Sequence, residues 1–240
     1  LNLVMMPMKD NQTITAMILV ATGSKYENKK NNGISHFLEH MCFKGTTKRP
    51  SAHDISSELE SIGAQYNAFT SQEFTGYHAK AQPKDFVKIF DVLSDIYLNS
   101  TFPEVEMQKE KGVIIEEINM YEDMPHRHVQ DLFLSLLYGD QPAGRNIAGT
   151  KESVRKFERK DFLAYHDKHY VPEATLVVVA GGIDPKEVAR EVAKVFGKLA
   201  PKKKTSKKKV VEKQTAPRTL IKERKTDQTH LVLGFRTFPV

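Results

Sequence analysis

Cysteine is almost absent. The single Cys42 in 240 residues excludes an intramolecular disulfide and any cysteine-rich metal site, and it is compatible with a reducing compartment without proving one. Long apolar runs are absent too. None approaches the ~20 residues that span a bilayer as a helix, so no membrane partner is expected. No glycine-rich phosphate cradle exists either, since Gly181-Gly182 is followed by neither the fingerprint glycines nor a Lys-Ser/Thr pair. Net charge is missing from most of the chain. The formal +6 is matched by seven Lys and one Glu between Lys202 and Lys213, so the remainder is neutral. That segment reads as a solvated linker, and no nucleic-acid partner is expected. The first residue, Leu1, is not a Met, which reads as a trimmed start, so the lack of a targeting segment excludes nothing.

What is present starts with 40% hydrophobic residues, ample for one large domain or two small ones. The informative stretch is His36-Phe37-Leu38-Glu39-His40. Positions four apart lie about 40° apart on a helix, so the two imidazoles project from one face as a bidentate clamp for a metal. Glu39, about 60° from His36, can reach a water at that metal without ligating it. The His-x-x-Glu-His order is the inverted form of the zinc-protease signature. Asn31-Asn32-Gly33 before it and Gly45-Thr46-Thr47 after it predict a short helix over 33–43, seated by Phe37, Leu38 and Met41.

Zinc wants a third protein ligand. From Pro103 to Met120 the chain predicts a long helix on which Glu110, Val113, Ile114 and Glu117 share a stripe. Two carboxylates among Val and Ile are out of place on a solvated face. Either they pair with basic side chains, or Glu117 binds the metal with Glu110 supporting it from behind. Glu116 points about 100° away, to the polar face.

These motifs, with Gly33 through Thr46, Asn67-Ala68-Phe69-Thr70-Ser71, Gly144 through Thr150 and the strand ending Val179-Ala180-Gly181-Gly182, resemble the pitrilysin/insulinase family of inverted zincins. Within it the chain is most similar to the mitochondrial-processing-peptidase-like and bacterial processing-protease branch. The resemblance implies one Zn²⁺ per chain held by His36, His40 and Glu117, Glu39 as the catalytic base, and Glu110 beside the ligands. It also implies that Asn67, Ala68 and Phe69 lie on a strand that binds an extended peptide substrate. The implied activity is zinc-dependent endopeptidase cleavage of unfolded or extended peptides. A non-catalytic scaffold subunit of the same fold is the alternative, and the fragment alone can be inactive. A lyase of the S-ribosylhomocysteine-cleaving kind shares the pentapeptide, but resembles a much shorter chain with Cys as third ligand.

Periodicity along the chain predicts an α+β fold, a mixed, largely antiparallel sheet flanked by helices, and the resemblance makes it one half of a two-half enzyme. Leu1–Met8 and Thr13–Ala21 read as a β-hairpin, 51–63 as a helix, Gln65–Thr70 as an edge strand, Phe74–Ala81 as its neighbour and Pro83–Leu98 as a helix. His126 and His128 sit near the start of a further helix, without other ligands. His166 and His169 fall near the end of another, where His complements the dipole. Thr175–Ala180 reads as a central strand and 185–197 as the last helix. The expected division is 1–199 zinc-binding domain, 200–218 Lys-rich linker, and 219–240 opening strands (Thr219–Arg224 and His230–Phe238) of a second, related domain. The expected partners are that second half or a partner subunit, and a dimer. The resemblance points to a bacterial-type cytoplasm, with the mitochondrial matrix as alternative.

Overall fold

Where apolar residues alternate the chain forms strands, and where they recur every three to four residues it forms helices. The computed structural model describes residues 1–225 and 227–237. In chain order the elements are β1 (Asn2–Pro7), β2 (Ile14–Val20), α1 (Ile34–Cys42), α2 (Ala52–Glu60), β3 (Gln65–Thr70), β4 (Thr75–Ala81), α3 (Phe86–Leu98), α4 (Glu104–Asp123), α5 (Pro125–Tyr138), α6 (Lys151–Lys156), α7 (Arg159–His169), β5 (Thr175–Gly181) and α8 (Pro185–Phe196).

The strands form one sheet in the order β1-β5-β2-β4-β3. Three pairings are antiparallel and β1 with β5 is parallel, so the expected mixed, largely antiparallel sheet is what the chain builds. The expected hairpin of β1 and β2 is not formed. β5 lies between them, with Val178 opposite Val4 on one side and Met17 on the other. An almost wholly apolar β-branched run gains most from neighbours on both edges, and the loop over 8–13 spans the ~10 Å that one inserted strand requires.

One face of the sheet carries Ile14, Ala16, Ile18, Val20, Tyr77, Ala79, Val177 and Val179, all buried. Against it lie α3, on β2 and β4, and α1, on β3 and β4. Phe86, Ile89, Phe90, Leu93, Ile96 and Tyr97 of α3 are buried as its periodicity predicts. Ser51 caps α2 through a reciprocal box with Asp54. Behind α1, Arg49 is buried and ion-paired to Asp91, Asp95 and Glu58, which ties the loop after α1 to α2 and α3.

Two expectations from sequence are corrected here. His166 and His169 do not complement a dipole as cations. His166 Nε2 lies 2.8 Å from the Tyr97 carbonyl, and His169 stacks on Tyr165 at 4.2 Å. Burial lowers the pKa of both, that of His169 to about 4, so both are neutral at pH 7. The strands expected after the linker are also not formed: Thr219–Arg224 and 230–237 carry no regular structure, and Phe238 lies outside the described residues. Strands need hydrogen-bonding neighbours, and this stretch runs instead along α5, with Gly234 against the Phe133 ring and Arg236 over Tyr138. The Lys-rich segment is tethered rather than free, through Lys202 to Asp167 and Lys207 to Glu73. Among the described residues no helix is long and apolar enough to cross a membrane.

Candidate metal centre

Helix α1 is nine residues long, begins at a left-handed Gly33 (φ +97°) and buries Phe37, Leu38 and Met41 completely. A Cβ at Gly33 would lie 2.6 Å from the Ala148 carbonyl oxygen, so this start needs glycine for space as well as for φ. With its apolar side seated, the half-turn offset leaves His36 and His40 on the other side, ring centroids 4.7 Å apart. Helix α4 crosses α1, burying Met107, Glu110, Ile114 and Ile118. Val113, expected on that stripe, is 52% exposed; the buried line runs through Met107 and Ile118, three or four residues on either side of Glu110 and Ile114.

The crossing brings three ligand-type atoms together. Glu117 Oε2 lies 3.5 Å from His36 Nε2 and 3.6 Å from His40 Nε2, and one donor atom from each of the three residues falls within a 4.8 Å cluster. A tetrahedral ion with bonds of about 2.05 Å needs donors roughly 3.3 Å apart, close to the two distances that Glu117 makes to the imidazoles. It is the one such group among the described residues, and His126 and His128 do not join another. Glu116 is exposed, as expected.

Behind the donors, Glu110 is 5% exposed and divides its oxygens. Oε1 is 2.9 Å from His40 Nδ1 and Oε2 accepts from Lys44 Nζ at 2.7 Å. This holds the His40 ring with Nδ1–H toward Glu110 and the Nε2 lone pair toward the cluster. Burial alone would raise the Glu110 carboxyl, but His40 and Lys44 outweigh it and lower it. His36 differs. Burial and the neighbouring His40 lower it to about 4, against the pull of Glu117, so it is a neutral donor. Its Nδ1 is buried with no hydrogen-bond partner. For His40, burial lowers the pKa but the bond to Glu110 and the nearby carboxylates prevail and raise it. Burial raises Glu39, opposed by a 2.6 Å hydrogen bond donated by the Thr70 hydroxyl to its Oε2.

Strand β3 is an outer strand of the sheet. Its Ala68 amide donates to Asn67 Oδ1 at 2.8 Å. Ala68 lies opposite buried Tyr77, on the helix side, while Asn67 and Phe69 face the other way, Phe69 packing on Gly76. Of the three expected substrate residues, Ala68 therefore lies on the sheet face that carries α1, and the side chains of Asn67 and Phe69 lie on the other face. Two contacts escaped the sequence reading: Thr70 on Glu39 and Lys44 on Glu110. Lys44 stands four residues after His40, a spacing that could have found it; nothing local links Thr70 to Glu39.

Comparisons with known proteins give matches over most of the chain. Residues 3–151 match the family model Insulinase (Peptidase family M16), and 156–240 match that of the Peptidase M16 inactive domain. A zinc protease of Bacillus subtilis described as uncharacterized is 40% identical over 236 residues, covering 97% of this chain and 57% of that protein. The bovine mitochondrial-processing peptidase subunit beta is 42% identical over 182 residues, 76% of this chain and 37% of its own. A Helicobacter pylori protease crystal structure superposes with a TM-score of 0.80 at 23% identity, over 88% of this chain and 51% of that one. The chain thus spans about half the length, or less, of the relatives it matches.

Proposed function

The chain belongs to peptidase family M16, the insulinase family, and from that premise we propose that it is the zinc-binding half of an endopeptidase acting on extended peptides. The observation that carries the reading is the convergence of His36 Nε2, His40 Nε2 and Glu117 Oε2 beside a base-type Glu39. Zinc is held by His36, His40 and Glu117, one ion per chain. When bound it supplies Lewis-acid polarisation of a carbonyl and acidifies a water.

The chain's own groups do the rest. Glu39, with Oε2 pinned by Thr70, uses its other oxygen to take a proton from the attacking water and return it to the leaving amine. Glu110 and Lys44 keep the His40 ring turned to the ion. The free edge of β3 takes up the substrate main chain as an added strand, with Asn67, Ala68 and Phe69 along it; Asn67 then releases the Ala68 amide it now covers. A second homologous half, covalent or a partner subunit, closes over the peptide. In this proposal 1–199 is the zinc-binding domain, 200–218 the linker, and 219–240 the start of that second half. Similarity to bacterial zinc proteases favours a bacterial cytoplasm, and similarity to the beta subunit of mitochondrial-processing peptidase leaves the matrix as alternative. The alternative is a non-catalytic scaffold subunit of the same fold; such subunits typically have ligands lost, whereas here all three donor residues and Glu39 are present.

Glu39→Gln tests the reading in the full-length protein. It should retain zinc by elemental analysis and lose peptide cleavage on the order of 10³-fold. Cleavage at the wild-type rate would overturn the assignment of the base.

A further inference from the structure

Helix α1 lacks the side-chain cap that normally serves its first amides. Its N-cap is Gly33, and no cap side chain bonds the first turn. The donors are met instead from outside the helix. Glu27, six residues before Gly33 and 2% exposed, accepts from the Gly33 amide at 2.7 Å and the Asn32 side-chain amide at 3.0 Å on Oε2, and from the Ser35 amide at 2.9 Å on Oε1. Every partner is a neutral N–H group. The same Asn32 amide also donates to the Asn146 carbonyl at 3.0 Å, so the loop carrying Ala148 is held against the helix start.

This cap sits next to the one imidazole of the cluster whose second nitrogen has no partner among the described residues. His40 is oriented by Glu110, but His36 Nδ1 is buried and unpartnered. A ligating imidazole is ordinarily fixed by a hydrogen bond from its second nitrogen. For His36 the backbone position of α1 must do that job, and Ser35, its neighbour in the chain, is one of the two residues whose backbone amides Glu27 grips. A carboxylate is required for the grip. Two oxygens each accept an amide from the helix start, whereas a carboxamide would turn an NH₂ toward one of them and leave a buried donor unpaired.

We propose that Glu27 is a positioning residue for the metal centre: by capping the N-terminus of α1 it sets the direction of the His36 ring. The inference rests on the reading that His36, His40 and Glu117 bind zinc, and its test is separable from that reading. Glu27→Gln should weaken zinc by about 10- to 100-fold, the cost typical of losing a group that supports a ligand, measured by competition with a chelating dye. The visible absorption of the cobalt(II)-substituted protein should shift with it. Val188→Ala, which opens a cavity under α8 on the strand β1 side of the sheet, should lower the melting temperature and leave both metal readouts unchanged. Zinc affinity within twofold of wild type and an unshifted cobalt spectrum in Glu27→Gln would overturn the proposal, whatever its melting temperature. If that variant does not fold, Asn32→Ala decides: it removes one of the three bonds and should weaken zinc about threefold, and an unchanged affinity would sink the idea. Wild-type protein that takes up no metal would defeat the metal reading itself, and this inference with it.

Discussion

Helix α4 carries three carboxylates near the cluster, and replacing each by its amide should give three different outcomes. Glu117 contributes the donor oxygen, 3.5 and 3.6 Å from the two imidazole nitrogens. Structural zinc sites bind with about 10–16 kcal/mol over four ligands, so about 3 kcal/mol per ligand, or a factor of about 10² in affinity, is at stake in Glu117→Gln. Glu110→Gln leaves the donor set intact but replaces the acceptor of His40 Nδ1 and strips Lys44 of its counter-charge. The expected loss is about 10-fold, at the lower end of the range for groups behind a ligand, because the amide oxygen can still accept. Glu116 is exposed and one residue from the key position, and Glu116→Gln should stay within about 0.5 kcal/mol, a factor of about two. Competition with a chromophoric chelator at pH 7 reads all three. The order Glu117, Glu110, Glu116 is the prediction. Equal affinity in the Glu116 and Glu117 variants, or a Glu110 variant as tight as wild type, would refute the assignment.

Two further predictions concern stability. His169 is buried and neutral with its pKa lowered to about 4, so the unfolded chain binds the extra proton and stability falls as pH drops from about 6.5 toward 4; between pH 7 and pH 5 the loss is about 2 kcal/mol. Urea midpoints at the two pH values should differ more in wild type than in His169→Gln, and an identical difference would exclude this residue as the source. Arg49→Met removes the buried cation shared by Asp91, Asp95 and Glu58, leaving only Lys48 on Asp91, and should cost about 3–5 kcal/mol by denaturant unfolding; a loss under 1 kcal/mol would show the carboxylates readily find other partners.

Helix-local information was legible without coordinates. Four-residue spacing places His36 and His40 on one face because the pitch of a helix is a property of the backbone alone. The same holds for the apolar lines of α1 and α3, and the unbroken β-branched run of β5 marks it as central. Choosing Glu117 over Glu116 also followed from helical phase. Val113 did not conform, because phase gives the direction a residue points and not where a neighbouring helix stops covering it.

What only tertiary structure decided is every contact made across the chain. β5 enters between β1 and β2 because pairing partners are chosen by burial on both edges, which no window of sequence contains. Thr70 meets Glu39 across 31 positions, and Glu110 divides its oxygens between His40 and Lys44 only once α4 has crossed α1. Glu27 stands in an irregular loop with no period to betray it, and its role as the cap of α1 exists only after the loop folds back on the helix. The residue types and helical spacing of the metal centre are thus written locally, while the orientation and charge of each group there depend on elements distant in the chain, since hydrogen bonds and burial act through space.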